Sequence, residues 1–223
     1  MHMGSVGFII FQLVVLIFSV MIHEISHGYV AERLGDPTAR LAGRLTLNPL
    51  KHLDPVGSVL LPLLFFLTNS PVMLGWAKPV PYNPLGLSKD YRYGPLKVAL
   101  AGPAANLLMF VIFGFGARLL APVLSPNLAG FFGFIAYMNV AIAVFNLLPI
   151  PPLDGSKVLT LFFPNSLMAI ERMGFMGIII LFLFIYVFWG VILSISSFLF
   201  SFVAGPDIVF AVLRLITLLS GHG

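Results

Sequence analysis

A long apolar run near the N-terminus of this chain ends in ionisable side chains. Residues Val6 to Ile22 carry no charge, and His23, Glu24 and His27 follow directly. A helix over Val6 to Leu34 is long enough to cross a bilayer, where ionisable side chains are costly and therefore point to function. Histidines four positions apart lie on one face of a helix, one turn apart, so both imidazoles can bind a single Zn²⁺.

Glu24 lies between the two histidines and points partly toward the same site. A carboxylate there is placed to take a proton from an attacking water rather than to ligate the metal. The alternative is that a histidine pair at the end of a membrane helix faces water or bonds a backbone carbonyl. The His-Glu-x-x-His pattern alone leaves both interpretations open, and the rest of the chain bears on the choice.

Composition places the chain in a membrane. Of the 223 residues 59% are hydrophobic and 9% are charged, whereas a soluble domain carries roughly 25% charged residues. No polar segment is long enough for a soluble domain, so residues 1–223 are expected to form a single transmembrane domain. The net charge of +4 is small and clustered, which fits membrane orientation and not nucleic-acid binding. Because the chain has no cysteine, disulfides, thiol nucleophiles and cysteine-ligated zinc are excluded.

The predicted fold is all-α and polytopic, with about five to six transmembrane helices. Long apolar runs after the first helix predict the further spans. These are expected over residues 93–120, 130–148, 174–193 and 198–219, the last with a break at Gly205. An amphipathic stretch, residues 156–173, is predicted to lie at the membrane interface.

Between the first and second full spans we expect a short membrane-associated strand or re-entrant region. Residues 38–49 alternate polar and apolar side chains roughly as a strand does, although an ordinary interfacial loop is the alternative. Residues 56–74 are apolar but interrupted by prolines. Asp54, directly before Pro55, is expected to cap a helix, and a role in supporting the metal site with His52 is the alternative.

A proline-rich stretch ends the predicted 130–148 helix and leads to an acid. From Asn146 to Gly155 the sequence is Asn-Leu-Leu-Pro-Ile-Pro-Pro-Leu-Asp-Gly. Non-helical backbone at such a position is tolerated where it lines a cavity or is buried in protein. Asp154 projects from this rigid turn as the natural oxygen ligand for a two-histidine zinc, with a fourth position left for water. The alternative is that Asp154 caps a helix that starts near Ser156.

A second polar group within the spans is Asn106, in the small-residue patch 102–106. Such patches let helices approach closely, and an amide there ordinarily bonds across helices. We favour this packing role over a contact with a substrate backbone.

Positive charge predicts the orientation of the spans. Eight of the twelve Lys and Arg residues lie from Arg33 to Lys97. The positive-inside rule places this region in the cytoplasm and the N-terminus outside. Asp154 then reaches the same side as the histidines only if residues 56–74 do not cross the bilayer fully.

The two motifs together resemble those of the site-2 protease family of zinc intramembrane proteases. That family pairs His-Glu-x-x-His in one membrane helix with Asn-x-x-Pro-x-Pro-x-Leu-Asp-Gly in a later one, and residues 146–155 match the second motif without departure. Residues 43–55 and 75–81 resemble the small prokaryotic members. The resemblance covers most of residues 20–160.

The resemblance implies that His23, His27 and Asp154 hold one Zn²⁺ per chain, that Glu24 is the general base, and that Asn146 helps to hold the substrate or the oxyanion. The chain has room for neither the PDZ module nor the nucleotide-sensing modules that many members carry. The expected protein is a multi-pass metalloprotease of the cell membrane, with its active site toward the cytoplasm. Its expected partners are the lipid bilayer and membrane-protein substrates with a transmembrane helix, and the sequence leaves its oligomeric state open.

Two alternatives remain at the level of sequence. The same intramembrane acids and histidines could line a metal-dependent transporter or channel. Against this, the ionisable residues form one cluster on one side, with no second set along a route to the other face. An inactive scaffold is disfavoured because Glu24 and all three expected ligands are present.

Overall fold

The structure is a computed structural model that describes residues 3–67, 77–163 and 166–220. Within these ranges the chain is helical and forms no strand. The α-helices are α1 (Met3–Arg33), α2 (Thr38–Leu41), α3 (Leu61–Leu67), α4 (Gly94–Leu120), α5 (Pro126–Asn146), α6 (Leu159–Phe162), α7 (Ser166–Ala204) and α8 (Pro206–Ser220). A π-helical turn covers Pro55–Leu60, and 3₁₀ turns cover Pro49–Lys51, Pro84–Gly86 and Asp154–Val158. The predicted all-α class is confirmed.

Four helices in the described ranges are long and apolar enough to cross a membrane. The candidate spans are Val6–Arg33, Gly94–Leu120, Pro126–Asn146 and Leu183–Ala204. The chain is therefore a multi-pass membrane protein. Among the described residues the predicted fifth span corresponds to α8, which has only 15 residues. At 1.5 Å per residue it is about 22 Å long, less than the roughly 30 Å of a hydrocarbon core.

Helix α7 runs without interruption through residues for which the sequence predicted separate elements. It has 39 residues and ends at Ala204, so the predicted boundary between 193 and 198 is wrong. Ser194 and Ser196 lie within this helix and donate their hydroxyls to the carbonyls of Gly190 and Ile192 one turn back, an arrangement compatible with helix. The predicted break at Gly205 is confirmed, where a φ of +80° ends α7 before Pro206 starts α8.

The strand predicted within residues 38–49 does not form. Thr38 instead starts α2, its amide donating to Asp36 Oδ1 at 3.1 Å. Gly43, with a φ of +63°, then turns the chain. No free strand edge is therefore available in this segment for pairing with a substrate.

The segment after residue 54 is helical where the structure describes it. Asp54 caps the π-helical turn as predicted, accepting from the amides of Val56 at 3.0 Å and Gly57 at 2.7 Å. The predicted re-entrant course of residues 56–74 lies partly outside the described residues, which omit 68–76.

Helix α1 ends in a glycine-centred turn at the position that the sequence predicts. The amide of Gly35 donates to Glu32 O at 3.0 Å and the amide of Asp36 to Ala31 O at 3.0 Å. Gly35 has a φ of +111°, which favours glycine. This pair of bonds satisfies the last carbonyls of α1 and sets the direction of the following chain.

The chain divides into two compact units, one formed by residues up to 15 and from 103 onward, the other by residues 16–102. In the first unit α5 packs against α7 and α8. Gly130 and Gly133 of α5 permit this approach, because a Cβ at Gly133 would lie 2.6 Å from Ile208 of α8. Within the same unit Asn106 Nδ2 donates to Asn139 Oδ1 at 2.8 Å, and both amides are fully buried. Asn106 thus bonds across helices, as predicted.

In the second unit the chain after residue 80 is hydrogen-bonded to the residues at the end of α1. Asp36 Oδ2 accepts from the amide of Asn83 at 2.6 Å, and the amide of Lys89 donates to Leu34 O at 3.0 Å. Burial raises the pKa of Asp36, but hydrogen bonds from the Thr38 hydroxyl and from the amides of Asn83 and Thr38 outweigh it and lower the pKa below the ordinary 3.8. Asp36 is therefore a buried, ionised link between α1 and this loop.

Candidate metal centre

The two motif histidines lie together on one face of α1, in the second unit. His23 is 4% exposed and His27 is 8% exposed. Their ring centroids are 4.6 Å apart and the rings are nearly perpendicular, at 85°. The helical repeat that predicted this placement is sufficient to explain it, because positions i and i+4 stack along the helix.

A backbone carbonyl of α4 fixes the protonation pattern of His27. The Nδ1 atom of His27 lies 2.7 Å from Val98 O. A carbonyl oxygen only accepts, so Nδ1 is the donor, and in the neutral imidazole this leaves the lone pair on Nε2. A histidine that donates one ring nitrogen to a carbonyl and offers the other to a cation is the usual arrangement of a metal ligand.

The Nε2 atoms of both histidines converge on one point beside Gly102. A Cβ built on Gly102 would lie 2.5 Å from His27 Nε2 and 2.6 Å from His23 Nε2. Two imidazole nitrogens therefore share a small space that a glycine leaves open. Neutral imidazole nitrogens that converge in this way suit Zn²⁺, which binds histidine nitrogen at about 2.0–2.1 Å.

Glu24 is half-buried and is held by the chain that crosses it. Its Oε2 accepts a hydrogen bond from the amide of Val80 at 2.8 Å, over a sequence separation of 56 residues. Val80 also packs close to α1 itself, because a Cβ at Gly28 would lie 2.7 Å from Val80 Cγ1. The sequence predicted a carboxylate beside the histidines but not the amide that orients it.

Asp154 is positioned by a tight turn in the first unit. The proline-rich stretch ends α5 at Asn146, as predicted, and Asp154 begins the 3₁₀ turn that follows. A Cβ at Gly155 would collide with the carbonyl of Leu147, so the turn closes only with glycine at this position. Ser156 Oγ donates to Leu153 O at 2.6 Å and braces the same turn. The role of Asp154 as a zinc ligand stays a prediction.

Asn146 is the last residue of α5, and its Nδ2 donates to Ile142 O one turn back at 3.0 Å. The side-chain oxygen of Asn146 takes no part in this bond and can accept from a different donor. Its predicted role in holding the substrate or the oxyanion also stays a prediction.

Sequence comparison identifies a protein family and individual proteins that this chain resembles. A family model described as "Peptidase family M50" matches residues 116–188. A protein of Bacillus subtilis strain 168 named "Putative zinc metalloprotease YwhC" is 38% identical over 194 residues, which are 80% of this chain and 84% of that protein. The chain belongs to peptidase family M50. This membership supports a hydrolase, and nothing in the comparisons favours the transporter alternative.

Other relatives of this M50 chain share shorter stretches. The "Putative zinc metalloprotease Rip2" of Mycolicibacterium smegmatis is 34% identical over 156 residues, 69% of this chain and 57% of that protein. The "Putative zinc metalloprotease MJ0611" of Methanocaldococcus jannaschii is 43% identical over 63 residues, 28% of this chain and 32% of that protein. No solved structure matches the chain.

Proposed function

We propose that this M50 peptidase hydrolyses peptide bonds within or beside the transmembrane segment of membrane-protein substrates, at one Zn²⁺ held by His23, His27 and Asp154. The observation that carries the proposal is the pair of buried imidazoles whose Nε2 atoms converge beside Gly102. They lie on a helix long and apolar enough to span a bilayer. The names of the relatives, which include the words zinc metalloprotease, support the choice of metal.

The donor set suits a catalytic zinc. Two neutral imidazoles and one carboxylate leave a fourth position open, as in hydrolytic zinc enzymes. Zinc, when bound, polarises the scissile carbonyl and lowers the pKa of water. The proposal treats residues 1–223 as one transmembrane protease domain, as the sequence predicts.

The protein side of the reaction falls to Glu24 and Asn146. Glu24 takes the proton of the attacking water and returns it to the leaving amine, because a carboxylate beside the metal ligands can serve as base and then as acid. Asn146 donates its amide to the substrate carbonyl, exchanging its bond to Ile142 O for one to the substrate. Membrane helices satisfy their own backbone bonds, so the substrate unwinds locally before it is cut.

The experiment that tests the proposal is cleavage of a panel of reconstituted membrane peptides by wild type and Glu24→Gln, with bound zinc assayed in both. Loss of a general base lowers the rate on the order of 10²–10⁴-fold, and we expect zinc content to be unchanged. The matched control is Glu32→Gln on the same helix, which removes only an exposed ion pair with Arg40. Cleavage at the wild-type rate by Glu24→Gln would contradict the assigned base, and absence of zinc from the wild type would contradict the ligands.

We also propose that the N-terminus lies outside and that the metal centre opens toward the cytoplasm, because most Lys and Arg residues lie between α1 and the first turns of α4. The absence of cysteine makes labelling of single introduced cysteines clean. In sealed inside-out vesicles, Lys89→Cys should react with an impermeant maleimide and Ser125→Cys, between α4 and α5, should not. The reverse pattern would contradict the orientation.

A further inference from the structure

A non-helical segment, residues 77–83, contacts Glu24, the residue to which the proposed function assigns the role of base. We call residues 77–81 the strap. Within it Val80 donates its amide to Glu24 Oε2 at 2.8 Å, and Val80 is 6% exposed. Its neighbours Pro79 and Pro81 have fixed φ angles and no N–H. The strap therefore offers Glu24 a single, rigidly placed donor.

The other end of the strap is held on both sides of residue 78. The amide of Lys78 donates to His52 O at 2.8 Å. The carbonyl of Lys78 accepts from Arg44 Nη2 at 2.6 Å. Arg44 and His52 belong to one loop, which His52 Nε2 closes by bonding Thr46 O at 2.9 Å. The peptide groups just before Val80 are thus fixed by hydrogen bonds rather than by helix or sheet.

Arg44 is unusual because, among the described residues, this buried cation has no carboxylate partner. Arg44 is 8% exposed, and its Nε has no hydrogen-bond partner in the part of the chain described. Burying a guanidinium is costly unless it is paired. The one bond that Arg44 makes there goes to the neutral carbonyl of Lys78. Since the bond that Arg44 makes within the described residues fixes the strap, this costly side chain points to a role for the strap at Glu24.

We propose that Arg44 is a positioning residue for Glu24. By fixing the carbonyl of Lys78 it holds the Val80 amide against Glu24 Oε2, which leaves the other carboxylate oxygen directed at the attacking water. The inference rests on the proposed function, since it needs Glu24 to act as the base. The terminal torsion angle of a glutamate side chain takes a broad range of values, so a single fixed donor decides where the second oxygen points.

The test compares Arg44→Met and Arg44→Lys in proteoliposomes with the peptide panel that wild type cleaves. Methionine keeps the apolar stem and removes the donor, whereas lysine keeps the charge and an N–H donor. We expect Arg44→Met to lower kcat about 10-fold, the size of a hydrogen bond to a charged group, with KM and zinc content unchanged. Arg44→Lys should recover part of the loss. Arg40→Met is the matched control and should cleave as wild type does, because Arg40 makes only an exposed ion pair with Glu32.

A double-mutant cycle separates positioning from general support of the fold. Aspartate at position 24 is one methylene shorter and cannot keep the bond to Val80, so Arg44→Met should cause no further fall in kcat in the Glu24→Asp background. An equal fall in both backgrounds would show a structural role and overturn the proposal. An unchanged kcat in Arg44→Met would overturn the proposal also. A raised kcat would overturn it too, because it would show that the strap holds Glu24 in an inactive orientation.

A second variant guards against misfolding of Arg44→Met. Replacing the amide of Val80 by an ester, through the hydroxy-acid analogue of valine, removes only the N–H and keeps every side chain. The same fall in kcat is expected, and wild-type kcat would refute the positioning bond. A wild type that cleaves nothing in the panel overturns the proposed function and the positioning role together, whereas wild-type cleavage beside unchanged Arg44 variants overturns the positioning role alone.

Discussion

Replacing Gly102 by alanine should weaken zinc binding while leaving the fold in place. The added Cβ would lie 2.5 Å from His27 Nε2 and 2.6 Å from His23 Nε2. Ordinary contacts between such atoms are at roughly 3.5 Å, so the methyl group would overlap both imidazoles by about 1 Å. His27 cannot simply withdraw, because its Nδ1 is bonded to Val98 O at 2.7 Å.

The expected magnitude follows from this overlap. An extra methyl in a well-packed site costs about 1–3 kcal/mol. If that cost falls on the state with both imidazoles in ligating positions, zinc affinity drops roughly 5- to 150-fold, at about 1.4 kcal/mol per tenfold. The methyl also occupies the space on which the two Nε2 atoms converge, so the upper part of this range is expected. Alanine is the better helix former, by about 0.5–1 kcal/mol, so helix propensity cannot account for a loss.

The assay is competition for zinc against a fluorescent chelator in detergent, together with thermal unfolding with and without added zinc. The matched control is Gly116→Ala in the same helix, where an added Cβ meets no atom within 4 Å. The control should bind zinc as wild type does, and Gly102→Ala should bind it weakly and gain little thermal stability from it. Wild-type affinity in Gly102→Ala would refute the convergence of the two imidazoles on this space.

Two further predictions concern the buried polar groups that support the fold. Because the folded pKa of Asp36 is below its ordinary 3.8, its stabilising contribution is complete above the unfolded pKa and is lost as pH falls through the lower folded value. Between pH 7 and pH 3 the melting temperature should therefore fall less steeply for Asp36→Asn than for wild type. Equal slopes would contradict the role of Asp36 as a buried, ionised link. Asn106→Leu should lower stability by about 1 kcal/mol, since it takes from buried Asn139 the donor at 2.8 Å; an unchanged melting temperature would show that this amide pair is dispensable.

Local patterns predicted the parts of the site that local geometry controls. The helical repeat placed His23 and His27 on one face, and the predicted end of the first helix at Leu34 lies one residue from the end of α1. Asp54 before Pro55 predicted its cap, and the proline run predicted the turn that carries Asp154. Each of these depends on residues within a few positions of one another, where backbone sterics and capping chemistry decide the outcome.

Contacts between distant segments were not predictable in this way. Val98 O bonds His27 across 71 residues and the Val80 amide bonds Glu24 across 56, and both partners are main-chain atoms, which every residue type supplies. The alternating prolines around Val80 are the one local signal in the sequence, and they indicate only that this segment is neither helix nor central strand. The alternation within 38–49 misled because it is a weak signal there: the Thr38 amide bonds Asp36 Oδ1 at the start of α2, and the segment begins as a helix.

The strap makes the orientation of Glu24 depend on loops far from it in sequence. Glu24 lies on α1, yet its carboxylate is bonded to Val80, whose segment is fixed by Arg44 at residue 78 and by Asp36 at Asn83. The helix that carries the histidines is therefore bonded, near Glu24 and again at its end, to one continuous stretch of loop. A helix alone places side chains to within a rotamer, whereas a base needs its oxygen held to within about 0.5 Å. The buried charges of Arg44 and Asp36, costly as packing, are explained if their purpose is to supply that remaining constraint.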